Sequence, residues 1–202
     1  IIAITEVKPK HDHYNIEKSE IAINGYKIFI NDLDSMKSTR GCVIYVRDDI
    51  QANQIETENG YEDAVWLEIP LRNNDKLLSA CIYRSPSNTE QQNNLMNKSI
   101  KEMLSKSNPS HVMIVGDFNF PKINWSTLDT GSEAINKEFI FLETIKDTYL
   151  YQHVSEITRV RGEDTPSLLD LILTNEENMI NNIEHKSPLG KSDHCTISYE
   201  LI

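Results

Sequence analysis

The 202-residue sequence has no apolar run approaching the ~18 consecutive residues that a membrane span requires, so no membrane partner is expected. It has only three cysteines, Cys42, Cys81 and Cys195, and no Cys-x-x-Cys pair. An odd number of widely spaced thiols argues against a disulfide framework and against a zinc site. Each thiol lies in or beside an apolar run (GCVIYV, SACIY, HCTISY), which reads as a buried free thiol in a reducing compartment. Gly-x-Ser-x-Gly, the P-loop, the dinucleotide-binding glycine fingerprint and His-Glu-x-x-His are all missing. Positive charge is scarce too: 20 Lys+Arg stand against 31 Asp+Glu, a formal charge of −11, with the acid excess mainly in the second half. A nonspecific nucleic-acid binder normally leaves a basic footprint, so any DNA binding by this domain alone is expected to be weak and salt-sensitive. A metal site, in contrast, needs clustered carboxylates, and a local basic rim can coexist with a negative total.

What remains is ordinary for a globular domain: 39% hydrophobic and 25% charged residues, apolar runs along the whole length, no repeat and no Gly/Ser linker. The length suits one domain, residues 1–202. The chain begins at Ile1, and IIAIT reads as a strand already under way. With no basic leader and no cleavage signature, the expectation is a section of a longer polypeptide.

Eight runs read as strands: Ile1–Thr5, Tyr26–Ile30, Cys42–Val46, Ala64–Leu71, Leu77–Tyr83, Val112–Val115, Leu168–Leu173 and Thr196–Leu201. Several are apolar on both faces, as in a sheet covered on both sides. Thr89 and Gln92 fit a capping box, and Leu95, Met96, Ile100, Met103 and Leu104 then follow helical spacing up to Pro109. A second helix is predicted after Ser132, with Ile135, Phe139, Leu142 and Ile145 on its core face. The order implies one α/β or α+β domain with a large sheet or two packed sheets.

Several residues can carry chemistry. In VMIVGDFNFPKIN a buried strand is expected to end at Val115, with Gly116 permitting a tight turn. Asp117 and Asn119, two apart, would then project together at the strand's end. Gly, Asp and Asn are also turn formers, and the local sequence leaves both readings open. Asp170 interrupts the apolar run LLDLIL, and a buried carboxylate asks for a partner. His194, in Ser192-Asp193-His194, is the natural candidate, since the pair would fix the imidazole tautomer and favour its charged form. Glu6 ends the first strand and can supply an oxygen ligand to Mg²⁺. Tyr83 ends another strand, with Arg84 beside it; each can contact phosphate or simply pack. Lys8-Pro9-Lys10-His11-Asp12-His13 reads better as a solvated loop than as a metal site. Arg159, Arg161, Lys186 and Lys191 form either a phosphate rim or solvated charges.

Taken in order, ITE, IYRSP, VGDFN, LLDLILTN and SDH resemble the endonuclease/exonuclease/phosphatase superfamily with its DNase I-like fold. TEVKPK, RGCVIYVRDDI, VWLEI, GDFNFPKINW and SLLDLILTN resemble, more narrowly, the endonuclease domain of non-LTR retrotransposon reverse transcriptases. The resemblance covers essentially the whole chain. It implies a four-layered α/β sandwich, two packed, mostly antiparallel sheets flanked by helices. It also implies Mg²⁺-dependent hydrolysis of a DNA phosphodiester, with Mn²⁺ as a substitute. The nick would leave a 3′-hydroxyl for target-primed reverse transcription, and a reverse transcriptase would follow in the same polypeptide. Such a protein is intracellular, and nuclear when it acts on DNA.

By resemblance, Glu6 is the metal-binding glutamate and Asp117 orients or deprotonates the attacking water. Asn119 holds water or phosphate, and Tyr83 contacts phosphate. His194 contacts the scissile phosphate, Asp170 orients it, and Asp193 binds metal or places water. The family also carries an asparagine on a strand preceding ITE, and the present sequence starts at the ITE strand itself, so that first strand is expected to be lacking. Two other readings stand beside the endonuclease: an abasic-site or other phosphodiesterase of the same superfamily, and a catalytically impaired DNA-binding remnant.

Overall fold

The computed structural model describes residues 1–8, 17–31, 40–56, 60–131 and 135–202. Eleven strands and two α-helices occur among them, in the order β1 (Ile2–Thr5), β2 (Tyr26–Ile30), β3 (Cys42–Arg47), β4 (Asn53–Ile55), β5 (Ala64–Pro70), β6 (Lys76–Tyr83), α1 (Glu90–Ser107), β7 (His111–Asp117), α2 (Lys137–Asp147), β8 (Tyr151–Gln152), β9 (Asp170–Thr174), β10 (Ile180–Lys186) and β11 (Thr196–Leu201). No helix among them is long and apolar enough to cross a membrane.

The strands form a six-stranded sheet, β4-β5-β6-β7-β9-β8, a three-stranded sheet, β1-β3-β2, and a two-stranded sheet, β10-β11. Pairing is antiparallel except between β6 and β7. A parallel pair needs a crossover, and α1 provides it. Helix α1 starts where the sequence predicts: Thr89 caps it, and the reciprocal Thr89–Gln92 capping box is complete.

Alternation along the central strands builds two cores. Leu78, Ala80 and Ile82 of β6, with Val112 and Ile114 of β7, pack under Met96, Ile100 and Met103 of α1 and Phe141, Leu142 and Ile145 of α2. The alternate residues Leu77, Cys81, Tyr83 and Met113 face the other way, against Cys42, Ile44 and Val46 of β3 and against Met179 and Tyr199. So the smaller sheets stack on the inner face of the large one, and both helices cover its outer face. The result is the expected packing of two sheet layers in a DNase I-like α/β fold.

Several details differ from the sequence reading. The core face of α2 is Phe141, Leu142 and Ile145, whereas Ile135 lies before the helix, 78% exposed, and Phe139 is half-exposed. The helix does follow Ser132, which lies outside the described residues, and Asn136 caps it. Strands β4, β8 and β10 were not anticipated, being short or largely polar. Asp170 opens β9 rather than interrupting a longer strand, and Leu168 and Leu169 precede it. Gly116 makes no turn. It lies within β7 at φ +148°, where a Cβ would sit 1.8 Å from the Ile82 carbonyl oxygen. Glycine is there so that β6 and β7 can approach. The residues Pro9–His13 also lie outside the described set.

Candidate active site

Strand register sets the first row of the site. Tyr83, the last residue of β6, is paired with Asp117, the last residue of β7, and Asp117 with Asp170, the first residue of β9. Directly opposed residues on neighbouring strands point to the same face. This places a phenol and two carboxylates side by side at one end of the large sheet, on its inner face. Asp117 is only 4% exposed. Burial, and next the charge of Asp170, push its carboxyl well above the usual carboxylate range, while His194 and the Asn119 backbone pull the other way.

The segment after Asp117 is pinned by its aromatics. Phe118 and Phe120 are fully buried against Phe141, with centroids at 5.1 and 4.6 Å. Both rings point into the helix-side core, so Asn119 between them turns back to the site. It adopts the left-handed conformation, φ +49°. Its backbone N–H donates to Asp117 Oδ1 at 3.1 Å, and its Nδ2 donates to Asp117 Oδ2 at 2.7 Å and to the Arg84 carbonyl at 2.9 Å.

Glu6 enters from the opposite sheet, one residue past β1, also at positive φ, +56°. Non-glycine residues held there are uncommon and cluster at functional sites. The Tyr83 hydroxyl donates to Glu6 Oε1 at 2.6 Å, and Arg40 Nη2 lies 3.3 Å from the same oxygen. Burial, then the hydrogen bond to Glu6, raises the Tyr83 phenol far above its ordinary value, so it stays protonated. Asp63 anchors the Arg40–Gly41 backbone, accepting from the two N–H groups at 3.1 and 2.8 Å. Its own burial raises it to about 6.

His194 precedes β11 and reaches Asp170: Nδ1 to Oδ2 is 2.7 Å. Among the described residues, the ring's Nε2 is left for another partner. Burial lowers its pKa, but the Asp170 hydrogen bond and charge, with Asp117 and Asp193, more than offset this and raise it to about 8. Thr158 supports the pair from behind, since its hydroxyl accepts the backbone N–H groups of Leu169 and Asp170 at 3.0 and 3.1 Å. Asp193 faces Arg159, whose Nε donates to Oδ2 at 2.9 Å. Burial pushes Asp193 up, but this hydrogen bond and the charges of Arg159 and His194 carry it below its ordinary value.

The sequence-predicted residues Glu6, Tyr83, Asp117, Asn119, Asp170 and His194 thus meet in one place. Asp117, Asp170 and His194 form a group whose potential ligand atoms all lie within 4.8 Å of one another. Neither residue expected to bind metal belongs to that group: Glu6 lies beside it on the Tyr83 hydroxyl, and Asp193 is held by Arg159. Of the expected basic rim, Arg159 joins the site, Lys186 pairs with Glu184 on β10, and Arg161 and Lys191 are exposed. Sequence reading missed Arg40, Asp63 and Thr158. Nothing local marks them, since each is defined by partners far away in the chain.

The chain matches the family model described as "Endonuclease-reverse transcriptase" over residues 77–198, more than half its length. No curated protein sequence matches it. Among solved structures, the endonuclease domain of TRAS1, a telomere-specific non-LTR retrotransposon, superposes with a TM-score of 0.69 at 17% identity, over 89% of this chain and 79% of that one. The 3′ phosphatase NExo from Neisseria, bound to a product DNA hairpin, gives 0.61 at 14% identity, over 99% and 88%. The catalytic domain of Xenopus laevis APE2 gives 0.57 at 13% identity, over 89% and 76%. At these identities the superpositions establish a shared fold. Together with the family match, they show that the chain belongs to the endonuclease–reverse transcriptase family, phosphodiester hydrolases of the endonuclease/exonuclease/phosphatase superfamily.

Proposed function

We propose that this chain is a Mg²⁺-dependent DNA endonuclease whose nick leaves a 3′-hydroxyl to prime reverse transcription. The observation that carries the reading is the Asp117–Asp170–His194 cluster, with Tyr83 beside it on β6 and Glu6 facing it from the opposite sheet. The similarity of fold to a retrotransposon endonuclease supports the choice of DNA.

Asp117, raised in pKa and steadied by Asn119, is suited to take a proton from water near neutral pH. His194, charged and fixed by Asp170, is suited to face the phosphate through Nε2 and to stabilise the charge that develops there. In that reaction water forms the new P–O bond, the bond to the 3′ oxygen breaks, that oxygen takes a proton from solvent to become the 3′-hydroxyl, and the proton taken by Asp117 returns to solvent. Tyr83 holds Glu6 through its own proton.

The donor set fits a hard divalent cation. Glu6, Asp117 and Asp170 are oxygen ligands, and their crowding is part of what drives Asp117 upward. Glu6, with the carboxylates of the cluster beside it, would hold Mg²⁺ or Mn²⁺, which when bound supplies Lewis-acid stabilisation of the phosphate. We also place a reverse transcriptase in the same polypeptide and the site of action in the nucleus.

Supercoiled plasmid, incubated with Mg²⁺, Mn²⁺ or EDTA, tests the proposal. Metal-dependent nicks that a polymerase extends, and that vanish with His194→Ala, are expected. Nicks that cannot be extended, or nicking indifferent to EDTA, overturn it. A second reading, a 3′ phosphatase or repair phosphodiesterase, is favoured by the superposition of the Neisseria 3′ phosphatase over nearly the whole chain. Faster turnover of 3′-phosphorylated or abasic oligonucleotides than of intact duplex would select it.

A further inference from the structure

Arg84 follows Tyr83, and its side chain has 0% exposure. Removing a guanidinium from water is costly, so a buried arginine asks what it holds. Its Nε donates to Asn93 Oδ1 of α1 at 2.7 Å, and its guanidinium lies 4.1 Å over the Phe120 ring. Its Nη1 donates to the Asn119 carbonyl at 2.9 Å. Nη2 is buried and makes no hydrogen bond among the described residues. An apolar side chain of the same length would fill this space without leaving a buried donor unpaired. Packing therefore does not explain the guanidinium.

The backbone of Arg84 is engaged as well. Its N–H donates to the Asp117 carbonyl at 2.8 Å, and its carbonyl accepts from Asn119 Nδ2 at 2.9 Å. Arg84 thus grips residues 117–119 at three points, two of them on Asn119. The left-handed turn at Asn119 points its carbonyl inward, away from water, where it needs a donor. Nη1 is that donor. Asn93 and Phe120 fix the direction from which it approaches.

We propose that Arg84 is the positioning residue of the Asp117–Asn119 pair: it locks the Asn119 backbone so that the Asn119 amide stays on the Asp117 carboxylate. Its catalytic consequence rests on the reaction proposed above, but its structural consequence does not. Without Nη1, Asn119 can relax toward the right-handed region and draw Nδ2 away from Asp117 Oδ2. Lysine keeps the charge but cannot serve Asn93 and Asn119 together in the planar fork.

The test compares Arg84→Met, Arg84→Lys and Asn93→Ser with the wild-type chain by two readouts. The first is NMR: hydrogen exchange of the Asn119 side-chain amide, which needs no activity. Loss of its protection in Arg84→Met, with the remaining spectrum preserved, is expected, and unchanged protection overturns the proposal. The second is steady-state cleavage. A fall in kcat of about 10²-fold with KM within about twofold is expected for Arg84→Met, as for a misplacement near 1 Å. Arg84→Lys should recover only part of kcat. If Arg84→Met does not fold, Asn93→Ser, which frees only Nε, should shift exchange and kcat in the same direction by less. Wild-type protein that cleaves nothing refutes the proposed reaction, while the exchange measurement still decides the role of Arg84.

Discussion

Gly116→Ala should damage this protein more than any other single methyl group added to β7. A Cβ at Gly116 meets the Ile82 carbonyl oxygen at 1.8 Å, its carbon at 2.8 Å and its amide nitrogen at 2.9 Å. All three are backbone atoms, so no side chain can swing away. A carbon and an oxygen rest comfortably at about 3.3 Å or more, so β6 and β7 must part locally by well over an ångström. The φ of +148° adds strain for any L side chain, on the order of 1–3 kcal/mol. The ladder bonds lost beside it cost about 0.5–1.5 kcal/mol each. The total is about 3–5 kcal/mol. For a chain of this size that lowers Tm by roughly 6–20 °C. The same separation moves Tyr83 away from Asp117, the next pair along, so cleavage should fall by about 10²-fold in whatever protein remains folded. Thermal melts by circular dichroism, with plasmid nicking at a temperature where both proteins are folded, measure the two effects. A variant that melts within about 2 °C of wild type and nicks at the wild-type rate would refute the close-approach argument.

Three further outcomes follow from the site. Asp63 has a folded pKa raised to about 6, so it binds its proton more tightly when folded, and stability declines as pH rises from the unfolded value through 6. Asp63→Asn keeps the Oδ1 acceptor and should remove that decline, up to about 3 kcal/mol, in urea melts at pH 4 and pH 8; an unchanged pH slope refutes it. His194 is raised to about 8, so the stability it contributes is full below about 6.5 and lost as pH climbs through 8. In Asp170→Asn the NMR titration of His194 should drop toward its ordinary value; a midpoint still near 8 would mean that Asp170 does not hold the ring. Thr158→Val preserves shape but orphans the N–H groups of Leu169 and Asp170, at a cost of about 2–4 kcal/mol by chemical denaturation; a loss under about 0.5 kcal/mol contradicts the acceptor role.

Much of this was legible in the sequence. Runs such as CVIYV and LLSACIY have no polar face, and only a strand covered on both sides explains them. Thr89 and Gln92 mark α1 unambiguously because capping is local chemistry. Strand β10, INNIEHK, escaped because five of its seven residues are polar and its pairing with β11 is non-local. The core face of α2 was displaced because Ile135 satisfies the spacing yet precedes the cap at Asn136. At the site, Asp170 announced itself as a carboxylate in an apolar run, and its need for a partner pointed to His194. The grip of Arg84 on Asn119 and the support of Asp170 by Thr158 had no such sign. Both depend on which backbone groups the fold leaves unpaired, and that is a property of three-dimensional register.

The Tyr83–Asp117–Asp170 row also bears on how the chain reaches its native state. Its two pairings are of different kinds, parallel across α1 and antiparallel across the long segment that contains α2. Both are non-local, and such contacts form late and slowly. A slip of β9 by one residue against β7 keeps much of the ladder yet turns Asp170 toward the helices. Collapsed chains with abundant strand signal can therefore lack the row entirely. Glu6, from the first strand, and His194, at the threshold of the last, must then join it. In refolding experiments, far-ultraviolet dichroism should recover before cleavage does. The interval between them measures the search for strand register.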